Sequence, residues 1–148
     1  MNHQRQFDFW QRGLVIANII FAIFGLLVAF AGDSFIFSMH NAKNLELFFG
    51  GQALSPEMAH YKKWIFGVAG GTIAGFHVLA YFVAKYPFKQ KEKWAYNALL
   101  YALLSWFIVD SGLSIYHGVY HNVYLVNIVT LFGIGLPLLM TKRYFIAS

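Results

Sequence analysis

Apolar and polar positions divide the chain into four long apolar runs, at about 13–31, 64–84, 94–116 and 122–140, with charges and chain-breaking residues gathered between them. Each run matches the roughly 20 residues a helix needs to cross the hydrocarbon layer of a bilayer, and an even number of crossings returns both chain ends to one side. The pattern predicts an all-α membrane protein: an antiparallel bundle of four transmembrane helices forming a single integral membrane domain over residues 1–148. A longer outer connection is predicted at 33–55 and a short inner one at 85–93.

The second run organises the rest. Ser55-Pro56-Glu57 reads as a helix start, with a hydroxyl cap, a proline at the first helical position and an acid in the first turn. A helix from residue 56 through the apolar run is roughly 43 Å long at about 1.5 Å per residue, so its first two turns project into water. Gly67, Gly71 and Gly75 recur every fourth residue and line one stripe where another backbone can approach. In the first run Asn18, Ala22, Gly25, Ala29 and Gly32 alternate at spacings of four and three. The two small-residue stripes are predicted to pack together.

The connections carry weaker signals. Residues 33–55 hold Phe35, Ile36, Phe37, Phe48 and Phe49 but are broken by Asn41, Asn44 and Gly50-Gly51; the segment is predicted to lie in the outer membrane interface as one or two amphipathic turns, with a lid over the bundle as the alternative. The aromatics of Tyr86-Pro87-Phe88 read as lying at the inner headgroups, and Lys142-Arg143-Tyr144-Phe145 as a cytoplasmic anchor. Gly118 turns the third run into the fourth, and Pro137 falls near the end of the fourth, where a kink is tolerated. Phe7-Asp8-Phe9-Trp10 precedes the first run without a small-residue cleavage site, which predicts a retained span.

Composition agrees with this picture: 59% of the 148 residues are hydrophobic and 11% charged, where a soluble domain has about a quarter charged. The net charge of +5 is a matter of topology, not of nucleic-acid binding. Arg5, Arg12, Lys85, Lys89, Lys91, Lys93, Lys142 and Arg143 all fall on one side, whereas Lys43, Lys62 and Lys63 on the other are offset by Asp33, Glu46 and Glu57. The positive-inside rule places both termini in the cytoplasm, and the expected location is a bacterial cytoplasmic (inner) membrane. The absence of cysteine excludes disulfides, thiolate metal sites and dithiol redox chemistry.

Candidate chemistry centres on Asp110, the only carboxylate within a span. Ser114 and His117 follow on the same helical stripe, and Asn127 and Thr72 are predicted at similar depth, so an intramembrane polar site of Asp110, Ser114, Asn127 and Thr72 is expected. Such a cluster either handles protons or ions or ties helices together by hydrogen bonds. His117 and His121, four apart, with His60 from the projecting helix, form the one candidate metal set; the sequence requires no cofactor. His77 and Asn18 share a depth that permits a hydrogen bond, and no second histidine lies there to make a haem pair. No nucleophile elbow, phosphate loop or carboxylate pair points to catalysis.

The sequence leads to a non-enzymatic membrane component, a subunit or accessory protein that associates with other membrane subunits or with itself, with the lipid bilayer as its surroundings. A small proton- or ion-coupled transporter centred on Asp110 is the alternative, and a histidine metal-binding membrane protein a third.

Overall fold

A computed structural model describes residues 3–146, and all secondary structure in them is helical. The elements are α1 (His3–Ala31), a 3₁₀ turn (Phe35–Phe37), α2 (Ser38–Phe49), α3 (Pro56–Lys85), α4 (Lys93–Tyr116), α5 (Tyr120–Thr141) and the short α6 (Arg143–Ile146). The helices α1, α3, α4 and α5 are long and apolar enough to cross a membrane. The start of α3 has the predicted chemistry: the amide of Met58 donates to Ser55 Oγ at 3.3 Å, Pro56 is the first helical residue and Glu57 follows in the first turn. The helix α1 starts well before its apolar run. Phe7, Gln11 and Leu14 recur at helical spacing and are buried, so this polar-looking segment still has a face to bury.

The tightest helix pair is α1 with α3. Gln11 Nε2 donates to the Ala84 carbonyl at 2.9 Å, Gly25 meets Gly70 and Ala74, and Gly32 meets Phe66, so the two helices run in opposite senses. A Cβ on Gly25 would lie 2.5 Å from the Ala74 nitrogen and 2.8 Å from the Gly70 oxygen; one on Gly70 would strike the Ala29 nitrogen and lie 2.5 Å from the Gly25 oxygen. Here backbone touches backbone, which only glycine permits. Gly25 and Ala29 therefore lie in the seam as expected, with Ala22 half-buried beside them.

The expected partner stripe does not. Gly67, Gly71 and Gly75 have nothing within 4 Å of an added Cβ, and α3 instead presents Gly70, Ala74 and His77 to α1. The reason is rotational: burying His77 against Asn18 brings forward the residues three and seven positions before it, which are Ala74 and Gly70.

At the end carrying both termini, the basic end, aromatic rings lock the chain. Phe7, Phe88 and Phe145 are fully buried, with centroids 4.7 Å apart for Phe88 and Phe145 and 6.1 Å for Phe7 with each of them; Tyr96 stacks on Phe145 at 4.9 Å. Lys91 Nζ lies 5.1 Å over the Phe7 ring. Phe88 and Phe145 are thus core residues joining the 86–92 connection to α1 and α6, and the Phe88 ring faces the core and not the headgroups. At the opposite end α2 is longer than the one or two turns expected. It is tied down by Asn41 Nδ2, which donates to the Gly32 carbonyl at 2.8 Å, and beside it Lys62 reaches Asp33 at 2.7 Å. That ammonium holds the Asp33 carboxyl below the ordinary carboxylate range.

Helix α5 packs on α1 and α4 but is irregular, with π-helical turns at Val123–Asn127 and Leu131–Gly135. Pro137 has no N–H to offer the carbonyl four residues before it, and the second wide turn lies just ahead of it. By contrast α3 and α4 approach each other little, which leaves space between the long helices.

Candidate ligand cavity and its polar ends

That space is a cavity of about 550 Å³ lined by α1, α3, α4 and α5 and by the segment before and within α2. Its volume is in the range of small-molecule sites, about 300–1,000 Å³. Phe21, Phe24, Phe76, Leu103 and Trp106 make the apolar walls. Apart from Thr72, the polar side chains fall in two regions: Asp110, Asn122 and His40 toward the α2 end, and Asn18, His77 and Thr130 toward the basic end.

Asp110 is half-buried and is the hub of a hydrogen-bonded cluster. Its Oδ1 accepts from Asn127 Nδ2 at 2.7 Å, from Asn122 Nδ2 at 2.8 Å and from Ser114 Oγ at 3.4 Å. The same amides reach on: Asn122 Nδ2 to Ser114 Oγ at 2.9 Å, and Asn127 Nδ2 to Ser111 Oγ at 3.0 Å. Among the described residues no donor reaches Asp110 Oδ2, and the residue lines the cavity. Three donors on one oxygen orient the carboxylate and leave its other oxygen for a guest.

The structure brings together Asp110, Ser114 and Asn127 of the predicted polar site and separates Thr72 from them. Thr72 lines the same cavity, but its hydroxyl donates within its own helix to the Val68 carbonyl at 2.9 Å. Asn122 and Ser111 are the members that sequence reasoning missed. Asn122 is in the first turn of α5, past the break at Gly118, where helical spacing counted along α4 has no grip; Ser111 is the middle group of an Asp-Ser-x-x-Ser pattern readable on α4. Comparison of the chain with known protein families, with curated proteins and with solved structures returns no match. The geometry alone therefore carries the functional reading.

The predicted metal set is not assembled. Among the described residues no three histidine or carboxylate side chains converge on a common point. His60 is exposed on the projecting turns of α3, His117 is exposed with its ring edge-on to Tyr116, and His121 turns to α2, its Nε2–H donating to Asn44 Oδ1 at 2.9 Å. The helical spacing of His117 and His121 fails because Gly118, with φ of 74°, ends α4 between them.

His121 instead meets His40, with ring centroids 4.9 Å apart and edge to face. Together with Ile36, Phe37 and Met39, which also line the cavity, this contact seats α2 over its end. Burial first, then the neighbouring His121 and Lys62, push His40 below its ordinary value of 6.5. A histidine depressed in the docked state stabilises docking fully above that value, and the stabilisation is lost as pH falls below it, because the undocked ring takes up a proton that the docked ring resists. The chain lacks cysteine, so a spin label on Glu46→Cys reports on α2 alone. His121 is also pushed below its ordinary value, by burial and then by Lys43, so the mobility of the label should rise between about pH 7.5 and about pH 5.5, and the rise should shrink in a His40→Gln background and vanish when His121→Gln is added. A label insensitive to pH, or equally sensitive without His40, would refute this account of the docking.

Proposed function

We propose that this is a small membrane-embedded binding protein that receives an amphiphilic molecule between its helices, with the guest's polar or cationic end at Asp110 and its apolar body along Phe21, Phe76, Leu103 and Trp106. The observation that carries the reading is the cavity of about 550 Å³, apolar along its walls and headed by a carboxylate with one oxygen uncommitted. A lone carboxylate among apolar walls gains most from a cation, and a guest ammonium supplies one without a second buried protein charge. In this reading the long helices cross the bacterial cytoplasmic membrane as an antiparallel bundle with both termini in the cytoplasm, the side on which the basic residues gather. Release of the guest to either side would make the same site the centre of a proton- or ion-coupled carrier.

The test is direct. Small molecules extracted from protein purified in lipid nanodiscs should include an amphiphile near one per chain, above the lipid background. Ala102→Trp places a large ring in the cavity from α4; it should deplete that molecule severalfold while leaving the melting temperature equal or higher, since filled space removes a packing deficit. No retained amphiphile, or equal retention in the variant, rejects the reading.

A second reading rests on a separate observation. Gly67, Gly71 and Gly75 are open on the outside of α3, the kind of surface another membrane helix takes up, which supports an accessory subunit of a larger complex or a homo-oligomer. Native mass spectrometry of the same nanodiscs would find a second chain of either kind.

A further inference from the structure

We infer that the cavity is built for a guest with two polar ends, and that His77 Nε2 is the acceptor for a hydroxyl or other neutral donor at the end remote from Asp110; the inference rests on the binding role proposed above. Asn18 is 1% exposed. Its Nδ2 donates to the Leu14 carbonyl one turn earlier in α1 at 2.8 Å, and this fixes the amide so that Oδ1 faces α3. His77 Nδ1 lies 2.9 Å from that oxygen. An amide oxygen only accepts, so Nδ1 carries the hydrogen, and in the neutral ring Nε2 then holds the lone pair.

The ring cannot turn away. Phe21 and Phe76 hold it at centroid distances of 5.2 and 5.1 Å, and the residue is 7% exposed. Among the described residues no donor reaches Nε2, yet His77 lines the cavity. An acceptor in a fixed tautomer, on a largely buried side chain in the wall of a cavity and without a protein partner, is a group that a guest's donor completes. Thr130, 5% exposed, adds a hydroxyl from α5 to the same end.

The spacing defines the guest. At about 1.5 Å of rise per residue from the ends of α3 and α4 that meet at the basic loop, Asp110 lies roughly 13 Å farther from that end than His77. Between them the walls are aromatic and aliphatic except for Thr72, whose hydroxyl is spent on the Val68 carbonyl. The guest class is an elongated, mostly apolar molecule with a cationic group at one end and a hydroxyl at the other.

Decylamine and aminodecanol, its counterpart with a terminal hydroxyl, are the probes. The two polar atoms of extended aminodecanol lie about as far apart as the two ends of the cavity. Titrated calorimetrically into full-length protein in nanodiscs, with protein-free nanodiscs subtracted, aminodecanol should bind about fivefold to tenfold tighter than decylamine although it is the less apolar of the two. In the double variant Asn18→Leu/His77→Phe, which removes both partners of the buried hydrogen bond together, the ratio should fall to about one. The wild-type ratio decides alone if the double variant does not fold. Equal binding of both probes to the wild type, or a ratio unchanged in the variant, overturns the second polar end and leaves the binding role standing. Binding of neither probe overturns both.

Discussion

Gly70→Leu should prevent recovery of a folded, monodisperse protein, whereas Gly71→Leu, one residue along the same helix, should purify and melt like the wild type. At Gly70 the first added carbon would meet the Ala29 nitrogen and the Gly25 carbonyl oxygen, both main-chain atoms that no rotamer change can move. Relief requires separating α1 from α3 along the most extensive contact in the fold. Overpacking a core against side chains costs about 1–3 kcal/mol, and against backbone the cost exceeds that range. At Gly71, which is exposed, nothing lies within 4 Å of an added Cβ, so its substitution belongs with surface changes worth about 0.5 kcal/mol or less. Thermal melting in mild detergent separates the two. Equal losses at both positions would mean that α3 is rotated from the orientation described. Loss of a co-purifying partner chain from an otherwise stable Gly71→Leu protein would favour the accessory-subunit reading.

This contrast marks where the sequence could be read and where it could not. The cap at Ser55, the extent of α3 and the α1 seam through Gly25 and Ala29 follow from spacing and local chemistry, and these are legible. Which face of α3 meets that seam does not follow from glycine spacing, because Gly70 and Gly71 are adjacent and a four-residue repeat through either looks equally good. The information was present in another form. Asn18 and His77 share a depth, a buried hydrogen bond between them is worth making, and fixing His77 toward α1 carries Ala74 and Gly70 with it. A polar pair thus outranks a small-residue stripe in setting rotation, since misplacing the stripe loses close packing, while misplacing the pair leaves two buried groups unsatisfied.

The site was legible in a similar proportion. Asp110, Ser114 and Asn127 were predicted together by depth and helical phase, and they are together. Asn122 is not legible, because its position depends on how the chain leaves α4 at Gly118, and the separation of Thr72 is not legible because depth alone does not say where a hydroxyl points. The π turns of α5 also lay beyond a hydrophobicity pattern that assumes one helical period. The cavity could not be read at all, since it depends on α3 and α4 standing apart, a distance that neither apolar run encodes.

Asp110→Asn should fold with a stability within about 1 kcal/mol of the wild type and lose affinity for decylamine by about tenfold or more, while Asp110→Leu should be destabilised by about 2–4 kcal/mol. The asparagine keeps an oxygen where Oδ1 stands, so Asn122, Asn127 and Ser114 still have an acceptor and the α4–α5 contact survives. What it loses is the charge, and its amide group puts a donor where a guest ammonium needs an acceptor. Leucine removes the acceptor itself; both asparagine amides then keep only their serine partners, Ser114 and Ser111, in a setting where water does not replace the lost bond. Melting curves and probe titration on the same preparations give two independent numbers for each variant. If Asp110→Asn were as unstable as Asp110→Leu, the carboxylate charge would be needed to hold α4 to α5, and Asp110 would serve the fold and not a guest. If Asp110→Asn bound decylamine like the wild type, the cation would sit elsewhere in the cavity. Stability retained with affinity lost is the one combination that both the three-donor geometry at Oδ1 and the uncommitted Oδ2 require.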